Sequence, residues 1–267
     1  MQKTLFENEN MIKQQNPAFC IGAVSRSTFF QGDCIVEMDK IADKSVDMIL
    51  CDLPYGTTAC KWDIVIPFEP LWKHYERVIK YNGAIVLTAT QPFTTVLINS
   101  NFGLFRYELI WDKIRAATGL NAAKMPMKTH ENICVFYKKQ PTYNPQMTEG
   151  KPFDKTKFNG YSLDAEVTGA GVFNSKKNEG FRFPISIHKF SQNWTRQQQI
   201  HNTQKPVELM EYLIKTYTNE GDTVLDNCMG SGTTGVACKK TGRHFIGIEK
   251  DEKYYNIAVR RVSEYCG

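Results

Sequence analysis

The sequence predicts a doubly wound α/β protein, an open and mostly parallel sheet covered by helices on both faces. Short apolar runs alternate with helical spacing through the first half of the chain. The same alternation returns near the C-terminus after a long irregular segment. There a glycine-rich turn joins a strand to a helix, and an acid closes the next strand, the arrangement of a nucleotide-binding α/β unit.

The elements follow in order. "STFFQGDCIVEM" reads as strand, turn and helix, with Gly32-Asp33 at the turn, and "SVDMILC" as a short apolar strand. "PFEPLWKHYERVIK" has helical spacing, with Leu71, Tyr75, Val78 and Ile79 on one face. "NGAIVLTAT" is a strand, and "QPFTTVLINS" a helix with Pro92 in its first turn. "RYELIWDK" and "HENICVFYKK" are two further strands. In "HNTQKPVELMEYLI", Pro206 opens a helix whose Val207, Met210, Leu213 and Ile214 share a face. "TVLDNC" is a strand, "TTGVACKK" a helix closed by Gly242, "HFIGIE" a strand and "EKYYNIAVRRVSEY" a helix.

Composition narrows the class. With 42% hydrophobic and 23% charged residues among 267, the chain has the balance of a soluble globular protein. No apolar run reaches membrane-spanning length. The N-terminal "MQKTLFENENMIKQQ" has no apolar core of a signal peptide, so a cytoplasmic protein is expected. The 8 cysteines are scattered with no Cys-x-x-Cys pair, which points to small core residues rather than a metal site. No metal is expected. A net charge of +5 permits a nucleic-acid partner without demanding one.

Residues 140–200 break the rhythm. They are rich in Gly, Pro, Asn and Lys, and a structureless stretch this long is either functional or disordered. Aromatics (Phe153, Phe158, Tyr161, Phe173, Phe181, Phe183, Trp194) argue against plain disorder. Lys151, Lys155, Lys157, Lys176, Lys177, Arg182, Lys189 and Arg196 are interleaved with them, as in a segment that reads nucleic acid. Taken alone, the segment reads first as a small solvated subdomain.

"DNCMGSGTTGVA" places Gly230, Gly232 and Gly235 as Gly-x-Gly-x-x-Gly after a strand and before a helix, and Glu249 ends the next strand. Glycines let the backbone turn tightly and approach a ligand, and the acid can accept both ribose hydroxyls. A nucleoside-containing cofactor follows. Asp226 precedes the glycines. A carboxylate there repels a pyrophosphate but suits the ammonium of a methionine moiety, which favours S-adenosylmethionine over NAD.

"SVDMILCDLPYGTTA" ends an apolar strand in Asp52, Leu53, Pro54 and Tyr55. Alone it is a strand-end turn, and alone "HNTQKP" is a helix start. Together, in the order Asp-Leu-Pro-Tyr, insertion, His-x-Thr-Gln-Lys-Pro and glycine loop, they resemble the beta-group amino-methyltransferases of DNA. The resemblance runs roughly from Thr28 to Val262. The chain departs from that family's pattern at Leu53 and at Asn202, where the family usually has proline. Because the family uses the backbone carbonyl at the first of these, leucine can still supply it.

The resemblance implies a Rossmann-like methyltransferase fold with a target-recognition insertion. It divides the chain into an N-terminal arm (1–27), a catalytic half (28–139), the insertion (140–200) and a cofactor half (201–267). It implies methyl transfer from S-adenosylmethionine to N6 of a flipped-out adenine in double-stranded DNA. Asp52 and the Leu53 carbonyl would hold the amine, Pro54 would stiffen the turn, and Tyr55 would stack on the base. Asp33, Cys34, Lys205, Pro206, Gly230, Ser231, Gly232, Thr233 and Glu249 would line the cofactor, with Asp226 beside them. A cognate restriction endonuclease is compatible but not required, and a homodimer is an open option. Rival readings are a cytosine-N4 enzyme, a protein-glutamine or RNA methyltransferase, an NAD-dependent oxidoreductase and a non-catalytic DNA-binding relic. The oxidoreductase leaves "DLPY" and "HNTQKP" without a role.

Overall fold

The strands β1 (Ser27–Gln31), β2 (Val46–Asp52), β3 (Ile79–Ala89), β4 (Phe105–Ala117), β5 (Lys128–Phe136), β8 (Ile187–Lys189), β9 (Thr223–Asp226) and β10 (His244–Glu249) form one sheet. Two-residue strands β6 (Thr148–Glu149) and β7 (Phe181–Arg182) pair separately. The helices are α1 (Cys34–Met38), α2 (Phe68–Val78), α3 (Phe93–Ser100), α4 (Val207–Tyr217), α5 (Thr233–Thr241) and α6 (Glu252–Ser263). This computed structural model describes residues 25–58, 60, 63–117, 119, 122–153, 178–192 and 204–265.

The strand order is β1-β10-β9-β2-β3-β5-β4-β8. The first five run parallel, β5 runs antiparallel between β3 and β4, and β8 lies parallel to β4 at the edge. The chain leaves β2 toward β3 on one side, whereas the β9–β10 unit extends the sheet the other way. Open α/β sheets bind ligands at such a reversal, beyond the strand ends. Here that point lies between the ends of β2 and β9.

The alternation of side chains along each strand builds two cores. Ile49, Cys51, Ile85, Leu87 and Phe136 face one side with Leu71, Tyr75 and Phe93. Met48, Leu50, Val86 and Val135 face the other with Met210, Leu213 and Ile214. Side chains this buried each contribute roughly 1.5–3 kcal/mol by leaving water. The predicted face of α2 is buried through Leu71, Tyr75 and Val78. Cys34, Cys51, Cys134 and Cys238 are buried free thiols, as their scatter predicts.

Three local differences have physical causes. α2 ends at Val78 because Ile79 turns extended and starts β3, so the strand begins before Asn82. Pro206 is the N-cap of α4 rather than its first residue, with extended backbone at ψ 134°. The insertion is not wholly irregular, since β8 joins the main sheet and the Trp111 indole donates to Phe190 O at 2.8 Å.

Candidate active site

The β2 strand delivers Asp52 to the sheet edge directly opposite Thr88 on β3. Asp52 Oδ1 accepts from the Tyr55 hydroxyl at 2.6 Å and from the Thr88 hydroxyl. Asp52 Oδ2 accepts from Lys205 Nζ at 2.5 Å. Lys205 lies just before α4 and is buried, with Glu131 Oε2 on its other side at 3.4 Å. Glu131 Oε1 in turn pairs with Lys113 at 2.5 Å. Because β5 runs antiparallel, its first residues share an edge with the last residues of β2 and β3, and this brings Glu131 and Asp52 to the same lysine. Lys113 sits near the end of β4 on the same edge.

Four charges of alternating sign therefore stand in a row. Ions taken from water need such partners to offset desolvation. Burial works against the Lys205 ammonium, but the carboxylates of Asp52 and Glu131 outweigh it and raise its pKa above the ordinary lysine value. Burial likewise opposes the Glu131 charge, and Lys205 and Lys113 overcome it, so its pKa falls below the usual carboxylate range.

The loop after Asp52 is fixed by one acid. Asp63 accepts from the backbone N–H groups of Gly56 at 2.8 Å, Thr57 at 2.9 Å and Thr58 at 2.7 Å. Its partial burial raises its pKa, and the Thr58, Gly56 and Thr57 groups more than reverse that. Gly56 is required at this turn: its φ is +66°, and a Cβ would meet Val65 Cγ2 at 2.9 Å. The turn lays the Tyr55 ring on Phe93, with centroids 5.2 Å apart and an angle of 31°. Lys205 Nζ sits 5.6 Å from the centre of the Tyr55 ring. Burial and then the Asp52 and Glu131 charges push the Tyr55 phenol well up. Leu53 is buried beneath the loop.

The β9 strand ends beside β2 and opens the glycine loop. Gly230 has φ +51°, and nothing lies within 4 Å of the place its Cβ would take. Its N–H donates to Glu249 Oε2 at 2.9 Å, while Glu249 Oε1 accepts from Asp251 N at 2.9 Å. Burial raises the Glu249 pKa, and these N–H groups oppose the rise. Gly232 at φ +80° caps α5, and at Gly235 a Cβ would meet Val262 Cγ2 at 2.6 Å, so α5 packs at glycine distance. The two halves are tied by the Tyr75 hydroxyl, which donates to Asn227 Oδ1 at 2.6 Å.

Most of the residues singled out in the sequence gather at these two strand ends, but several face differently than expected. Asp226 is buried and accepts from the Thr234 hydroxyl at 2.6 Å and Cys228 N at 3.1 Å, so its carboxylate faces its own loop. Burial pushes its pKa up to about 6, against those two hydrogen bonds. Ser231 and Thr233 meet Arg261, whose guanidinium donates to both hydroxyls at 3.2 Å. Asp33 caps α1 through Ile35 N at 3.1 Å and pairs with Lys250 at 3.1 Å, with Cys34 buried next to it. Pro206 follows Lys205 into α4.

In the insertion, Lys151 is exposed. Arg182 is engaged within the insertion: its guanidinium donates to Asn178 Oδ1 at 2.6 Å and to Lys151 O, and it lies 4.6 Å from the Phe153 ring centre. Lys155, Lys157, Lys176, Lys177 and Arg196 lie outside the described residues.

Sequence reasoning does not single out Thr88, Lys113, Glu131 or Asp63. Glu131 carries a signal, an acid opening an otherwise apolar strand in "HENICVF". Asp63 and Lys113 carry none, because their roles depend on a loop closure and on a strand pairing.

Comparison with known proteins agrees with this geometry. A DNA methylase family model, of the N6/N4 type, matches residues 46–260. The chain is 28% identical over 247 residues to the Type II methyltransferase M1.MboII of Moraxella bovis, covering 85% of this chain and 93% of that protein. It is 28% identical over 252 residues to the DNA adenine methyltransferase YhdJ of Escherichia coli K12, covering 88% and 82%. Among solved structures, the M1.HpyAVI–SAM complex superposes with a TM-score of 0.60 at 22% identity, over 90% of this chain and 100% of that one. The cytosine-N4-specific PvuII DNA methyltransferase superposes with a TM-score of 0.62 at 14% identity, over 89% and 86%. These two likenesses are of fold. The family match spans both strand ends and the segment between them, and the chain belongs to the DNA methylase family.

Proposed function

We propose that this protein transfers a methyl group from S-adenosylmethionine to N6 of an adenine turned out of double-stranded DNA. The observation that carries the reading is the Asp52–Tyr55 turn standing beside the glycine loop at the sheet's reversal point. An exocyclic amine is a weak nucleophile because its lone pair is delocalised into the ring. The Asp52 carboxylate and the Leu53 carbonyl accept its hydrogens and favour a pyramidal nitrogen. Tyr55, backed by Phe93, offers a face for the base. Pro54 restricts the backbone between these groups. The enzyme's main contribution is position, for which a stiff, multiply bonded turn is suited.

The residues at β9 fit the cofactor. The open space over Gly230 admits a close ligand approach to backbone, and Glu249 lies at the loop with lone pairs left for ribose hydroxyls. Asp33 and Cys34 flank the adenine side, and Lys205 and Pro206 the methionine side. Asp226 keeps the loop in shape and sets a negative charge beneath it. Ser231, Gly232 and Thr233 form the loop itself. When bound, the sulfonium makes the methyl electrophilic. Within this reading, 28–139 is the catalytic half, 140–200 the target-recognition insertion and 201–267 the cofactor half. Duplex DNA is the partner, a cognate endonuclease is compatible but not required, and a DNA substrate fits the expected cytoplasmic location.

Adenine is favoured over cytosine by an aspartate at the first motif position and by the similarity to a relative named as an adenine methyltransferase. The test is incubation of the purified protein with genomic DNA and methyl-labelled S-adenosylmethionine, then nucleoside mass spectrometry. N6-methyldeoxyadenosine is the expected product. N4-methyldeoxycytidine alone would overturn the base assignment, and no transfer to DNA would overturn the reading.

A further inference from the structure

We infer that Glu131 is a positioning residue that receives the Lys205 ammonium when Asp52 takes up the target amine; the inference rests on the methyltransferase reading above. Asp52 is crowded as it stands. Tyr55 and Thr88 occupy Oδ1, and Lys205 occupies Oδ2. A carboxylate has about four acceptor positions, and three are already in use. The one left is on Oδ2, beside the Lys205 ammonium, so an incoming N–H must share that oxygen with a positive charge unless Lys205 draws back. Tyr55 and Thr88 hold each other at 3.0 Å and sit in the packed wall, so neither is the ready candidate.

Lys205 has somewhere to go. Among the described residues, Glu131 Oε2 is buried and accepts no hydrogen bond. It lies 3.4 Å from Lys205 Nζ, so a shift of under roughly 1 Å brings that pair to ordinary charge-assisted distance. At 3.4 Å the ion pair is longer than an ordinary charge-assisted hydrogen bond, and tightening it offsets the loss of the Asp52 contact. Lys113 on Oε1 fixes the Glu131 side chain and keeps the four-charge row neutral while the ammonium moves. The ammonium stays buried and paired at both ends of its travel, which makes the exchange cheap.

The experiment compares wild type, Glu131→Gln and Glu131→Asp on one methylatable duplex, with DNA KM, calorimetric affinity for S-adenosylhomocysteine and melting temperature measured in parallel. Glu131→Gln keeps the shape and removes the charge, and kcat should fall about 10- to 100-fold, the range for groups that orient a reactive partner. KM for DNA and cofactor affinity should stay within a few-fold. Glu131→Asp keeps the charge at shorter reach and should recover part of kcat; it also serves if the glutamine variant does not fold. In protein labelled at lysine Nζ, the Lys205 signal should shift on adding target duplex and S-adenosylhomocysteine, and not in Glu131→Gln. A kcat loss matched by equal losses of cofactor affinity and melting temperature would make Glu131 structural, and unchanged kcat would overturn the inference. Both outcomes require an active wild type, whereas an inactive wild type would overturn the methyltransferase reading itself.

Discussion

Asp52 and Asp226 close neighbouring parallel strands, yet the protein surrounds them differently. Asp226 is held by its own loop, through a backbone N–H and a nearby hydroxyl. Asp52 is met by side chains from distant parts of the chain, Thr88 and Lys205, as well as by Tyr55. The first arrangement is local and static: the loop and its acid define one shape that a ligand can enter without rearrangement. The second is assembled from side chains of several elements, of which one, Lys205, has a second partner in Glu131. Both ends gain from preorganisation, and on the inference above only Lys205, at the Asp52 end, has to give way.

The sharpest break between the two ends is expected from Asp52→Ala. Loss of a transition-state acceptor costs about 100-fold or more in rate. Cofactor affinity, set at the other strand end, should stay within a few-fold by calorimetry. A mutant that turns over near the wild-type rate would remove Asp52 from the chemistry.

Asp226→Asn should act in the opposite sense, on stability rather than rate. The folded chain holds the Asp226 proton more tightly than the unfolded chain, because burial disfavours the charge. The stability this group contributes is complete at acid pH, below the unfolded carboxyl range, and is lost as pH rises through about 6. Asparagine carries no charge to desolvate and can still meet Thr234 and Cys228 N. At pH 8 the variant should therefore be more stable, by roughly 2 kcal/mol at most after allowing for weaker hydrogen bonds. Denaturant titration at pH 5 and pH 8 reads this directly, and a variant less stable at pH 8 would refute the account.

The fold was largely legible because its signals are local. The 3.6 and 2.0 periodicities mark α2, α4 and the strands, and glycines with a following acid mark the loop. Asp52 and Glu249 were legible for the same reason, each closing an apolar strand. What escaped depends on tertiary register. Glu131 reaches the Lys205 that holds Asp52 only because β5 runs antiparallel, and no spacing in "HENICVF" encodes that pairing. Asp63 acts by folding back over its own turn. The inward facing of Asp226 and Ser231 depends on Thr234 and Arg261, which no motif lists.

Glu249→Ala sharpens the comparison from the cofactor side. It removes the acceptor for Gly230 N and Asp251 N, and the predicted ribose contact with them. Cofactor affinity should weaken by roughly 2 kcal/mol. Single-turnover methyl transfer at saturating cofactor should change much less than in Asp52→Ala. An unchanged dissociation constant would leave Glu249 only a loop-holding acid.

The smallest effect tests whether the insertion repeats this division between held and available groups. Arg182 is held, by Asn178, by Lys151 O and over Phe153, so it organises the β6–β7 pair. Lys151, two residues beyond the end of β6, is exposed. If the insertion lies along duplex DNA, neutralising Lys151 removes one phosphate contact. Phosphate contacts set position rather than sequence, so Lys151→Ala should weaken binding to all duplexes alike. The slope of log affinity against log salt should become shallower by about one unit. Arg182→Ala should instead lower the resistance of the insertion to proteolysis, with a salt slope changed by less than its charge would imply. Equal slope changes for the two variants would mean that Arg182 leaves its internal partners for phosphate on binding. No change for Lys151→Ala would place the DNA path off this part of the insertion.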